Sequence, residues 1–152
     1  MSAAKAGERE LPLRIVVEGP PAGVAFAVQR GRAELLAPSA ATADAVTFDF
    51  PVRVGTSADG APNFLGEYAH GTPGERFVYV TSGQSAGDAG SPWRRRAKVR
   101  LAGQVDWLLI DRVLSQPGAL LEARITGTSR DGGPVCASTP VLGGGWTVVP
   151  PA

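Results

Sequence analysis

The chain is poor in the residues that build most catalytic and metal centres. It has one cysteine, Cys136, and one histidine, His70, in 152 residues. A single cysteine excludes an intrachain disulfide, and a chain of this length can bury roughly 68–70% of its unfolded surface without such a staple. One His and one Cys far apart in sequence give no ligand spacing, so no metal is expected. Walker loops, G-x-S-x-G and H-E-x-x-H are all missing, and no cofactor is expected either. The apolar runs fall far short of the ~20 residues that span a bilayer. The first ten residues lack the apolar core and cleavage pattern of a secretory signal. Together these absences predict a cytoplasmic protein that does not enter membranes. The formal net charge is +1, which does not favour nucleic acid as a partner.

What is present is glycine, proline and arginine. Gly and Pro number 20 and 13. Arg outnumbers Lys thirteen to two, and Asn63 is the one Asn. Such usage matches GC-rich codons, so part of the arginine excess is compositional. Hydrophobic residues make up 43%, enough for a folded domain. We expect residues 1–10 to be a loose tail and 11–152 a single β-rich domain.

Alternation with period two marks the strands. Leu13, Ile15 and Val17 form one apolar face, and Val24, Phe26 and Val28 another, across a Gly19–Gly23 turn. The clearest strand runs from Ala45 to Gly55, with Val46, Phe48, Phe50, Val52 and Val54 on one side. Pro51 lacks an N–H and predicts an edge or a bulge there. Ser57–Pro62 reads as a turn, followed by short strands at Phe64–His70 and Arg76–Thr81. Leu121, Ala123 and Ile125 alternate again, Val135–Ala137 reads as a short strand, and Trp146–Val149 closes the series. Gly31–Ala45 has no clear period.

One helix is expected, at about residues 106–115. Asp106 is a good N-cap, Val105 and Ile110 can staple the entry, and Pro117-Gly118 stops the run. Leu108, Leu109 and Val113 recur at helical spacing. Many short strands with one helix predict a mainly antiparallel barrel or sandwich carrying one docked α-helix.

Several blocks carry a resemblance. They are Leu13–Val17 with Pro20–Val24, Pro62–Gly66, Gly71–Val80, Trp93-x-Arg-Arg-x-Lys98, Pro117–Arg124 and Asp131–Pro134. In order and spacing they resemble a family of short bacterial proteins catalogued as a domain of unknown function, DUF5990. The resemblance covers Leu11 to Val149 and implies a bacterial source. It implies no activity.

The densest chemistry lies at residues 94–100, where five of the fifteen cations fall. On an extended strand Arg94, Arg96, Lys98 and Arg100 share one face, while Trp93, Arg95, Ala97, Val99 and Leu101 share the other. Arg guanidinium forks suit phosphate and carboxylate. The alternative is a solvated row that blocks edge-to-edge aggregation. Arg95, placed with the apolar set, needs a partner such as Glu67, Glu75 or Glu122.

The reading favoured on these grounds is a non-enzymatic module. It binds a small anionic or polar ligand at one end of a β-barrel, through Asn63, His70, Arg76, Trp93, Arg95 and Arg96. A second reading has the basic strand 94–100 dock an acidic protein or a second copy, so monomer and homodimer both stay open. A third makes His70 a general base, with Tyr68 or Tyr79 as proton donor and Arg95 as an electrostatic clamp. Cys136 reads as a small buried hydrophobe.

Overall fold

The structure is a computed structural model and describes residues 8–20, 25–30, 34–65, 77–83, 95–101, 105–126, 139–140 and 146–151. In chain order its elements are β1 (Arg9–Glu18), β2 (Ala25–Arg30), β3 (Glu34–Leu36), β4 (Ala40–Ala41), β5 (Ala45–Thr56), β6 (Pro62–Leu65), β7 (Phe77–Gly83) and β8 (Arg95–Arg100). Helix α1 (Trp107–Leu114), β9 (Leu120–Thr126), β10 (Thr139–Pro140) and β11 (Trp146–Val149) follow. The expected strand at Val135–Ala137 lies outside the described residues. The span without a clear period contains β3 and β4, and β1 starts at Arg9, within the stretch expected as tail.

Two sheets make a sandwich. The first has the order β11-β9-β1-β5-β4, with β6 also on β5; the second has the order β10-β8-β7-β2-β3. No strand ladder joins the sheets among the described residues, so the barrel alternative is not realised. Most pairings are antiparallel, but β1 with β9 and β8 with β10 are parallel. The first of these follows from α1. The helix lies against the start of β1, where Arg9 Nη1 meets Asp111 Oδ1 at 2.9 Å. A strand leaving that end must run the same way as β1.

The alternating apolar residues meet across the sheets in a single core. In the first sheet the register aligns Phe48, Ile15, Ala123 and Trp146 in one row and Phe50, Leu13, Leu121 and Val148 in the next. Phe26, Val28, Val78, Val80 and Val99 of the second sheet belong to the same buried cluster. Pro51 turns out to sit in an interior strand, opposite Pro12 of β1. On its other side β4 pairs only with positions 46 and 47 and β6 only with 53 to 56. Neither short strand reaches position 51, so the missing N–H interrupts no ladder.

Helix α1 is built as its sequence predicts. The Asp106 side chain accepts a hydrogen bond from the Leu109 N–H at 3.0 Å. Val105 and Ile110 are both buried, as a staple requires. Gly118, at φ +91°, takes the left-handed turn after Pro117. Ile110 and Val113 supply the buried stripe. Leu108, expected in the same apolar spacing, is instead 70% exposed, because it lies on the helix face turned from the sheets.

Candidate functional site

Sheet faces turned away from the core are where a sandwich displays polar chemistry, and the two such faces differ. On the first sheet, cations and carboxylates alternate in register. Asp49, Arg14, Glu122 and Thr147 form one row across β5, β1, β9 and β11. Arg14 Nε donates to Asp49 Oδ1 at 2.7 Å, and Arg14 Nη1 lies 4.0 Å from Glu122 Oε2. Arg124 Nε donates to Glu122 Oε1 at 2.8 Å and its Nη1 to Glu18 Oε2 at 3.0 Å. The Glu122 bond and charge, followed by the Glu18 bond, raise the Arg124 pKa above its ordinary value. Glu122 is only 8% exposed, so this carboxylate needs its cations.

The second sheet carries β8. Val99 is fully buried and Leu101 follows it into the core, as the alternation predicts. Positions 96, 98 and 100 therefore fall on the opposite face. The register sets Arg96 beside Thr81, Lys98 beside Tyr79 and Arg100 beside Phe77. Thr81 pairs in turn with Ala27, and Tyr79 with Gln29, on β2. Among the described strands of this sheet the one acidic residue is Glu34. It lies opposite Arg30 on β3, two strands beyond β7. Among the described strands none sets a carboxylate in register with the basic row, unlike the first sheet. The row spans about 13 Å, from four steps of roughly 3.3 Å.

The residues singled out from sequence distribute as follows. Arg95 and Arg96 begin β8, opposite Ser82 and Thr81. Position 95 shares a row with Ser82 and Phe26, on the side of the sheet that carries Val99. Glu122, one expected partner of Arg95, is engaged by Arg124 and Arg14 on the first sheet. Asn63 is on β6, opposite Gly55, next to the turn whose Gly60 carbonyl accepts from Trp107 Nε1 at 2.7 Å. It thus belongs to the helix end of the sandwich. Arg95 and Arg96 belong to the other end of β8, because Arg100 leads through Leu101 towards α1, where the Val105 N–H donates to the Leu101 carbonyl. His70, Arg76 and Trp93 lie outside the described residues, as do Tyr68, Glu67, Glu75 and Cys136.

Sequence reading missed two features. The Asp49–Arg14–Glu122–Arg124–Glu18 network needs the register of three strands, which no local pattern supplies. The alternation of Phe77, Tyr79 and Thr81 with Val78 and Val80 was visible in the chain, but its alignment with Lys98 and Arg100 was not. Among the described residues no cluster of three or more His, Cys, Asp or Glu is arranged to hold a metal. Among them, too, no helix is long and apolar enough to cross a membrane.

No curated protein and no solved structure matches the chain. A family model matches residues 11–149, and the chain accordingly belongs to the family of unknown function DUF5990.

Proposed function

We propose that the protein is a non-enzymatic binding module for an anionic ligand, which it holds on the outer face of the second sheet through Arg96, Lys98 and Arg100. One observation carries this reading. These cations have no acidic residue in register on any described neighbouring strand, whereas the cations of the other sheet alternate with carboxylates. A concentrated positive row of this kind raises the local concentration of anions even when the net charge is small. Two arginines add the fork geometry that suits phosphate and carboxylate. A face of the sandwich, rather than the mouth of a barrel, is then the ligand surface.

Thermal unfolding in the presence of inorganic phosphate, nucleoside monophosphates and citrate tests the reading. Stabilisation by about 2.7 kcal/mol is expected at a ligand concentration ~100 times its dissociation constant. The triple variant Arg96→Ala, Lys98→Ala, Arg100→Ala should keep its β-rich circular dichroism and lose that stabilisation. If no anion stabilises the wild type, or if the triple variant responds equally, the reading fails.

A further inference from the structure

We draw no further inference here: the strongest candidate, the surface patch at Leu108 on the face of α1 turned from the sheets, is an exposed apolar side chain with nothing in the structure to show what covers it.

Discussion

The outer faces of the two sheets are built from the same kinds of residue and set them in different register. On the first sheet every described cation on β1 and β9 has a carboxylate within 4.0 Å. On the second, β8 carries Arg96, Lys98 and Arg100 in register with Thr81, Tyr79 and Phe77. The first arrangement is self-satisfied, and its cations contribute to the fold. The second sets three cation positions on one strand, the row through which the proposed ligand would be held.

Substitutions can break or sharpen this contrast. The largest effect should come from the core that both sheets share. Phe48→Ala is expected to cost about 3–5 kcal/mol, and Val113→Ala under the helix about 1–3 kcal/mol. Denaturant titration monitored on both sheets should show a single transition; two separate midpoints would show that the sheets do not share a core. Next comes the charge network. Glu122→Ala removes a nearly buried carboxylate that two arginines address, and should cost about 1–3 kcal/mol. If the basic row serves recognition rather than folding, as proposed, the triple variant Arg96→Ala, Lys98→Ala, Arg100→Ala should change stability by no more than about 0.5 kcal/mol. A loss from that variant as large as from Glu122→Ala would erase the distinction between the faces.

Smaller effects test the local structure beneath α1. Asp106→Ala removes the N-cap and should cost about 1 kcal/mol by thermal unfolding. At the β5–β6 turn, the Ser57 hydroxyl and then the Ala61 N–H hold the Asp59 carboxyl below the usual carboxylate range. A carboxyl with a depressed folded pKa adds stability above its unfolded pKa and loses that contribution as pH falls through the folded value. NMR titration should therefore place the Asp59 midpoint below the usual ~3.9, and Ser57→Ala should move it upward. A midpoint that Ser57→Ala leaves in place would remove the hydroxyl as the main cause.

Much of this architecture was legible in the chain, because burial on one side of a strand writes itself as alternation. Val46 to Val54 and Leu121 to Ile125 announced their inner faces, and Asp106 with Pro117-Gly118 marked both ends of the helix. Pro51 misled only as to place: it lies in an interior strand opposite Pro12, beyond the ladders of β4 and β6. Leu108 shows the limit of helical spacing, which defines a stripe but not which residues at its margin are covered.

The sequence by itself determined which residues share a face, since the two-residue period of a strand is a property of the backbone. It thereby determined that Arg96, Lys98 and Arg100 form one row, opposite Val99. Only the tertiary structure decided what stands beside that row. Register between strands distant in sequence is set by matching whole apolar faces against a common core, and a shift of one residue would exchange inside for outside. That matching gave Arg14 and Arg124 the carboxylate of Glu122, and set Phe77, Tyr79 and Thr81 beside the basic row.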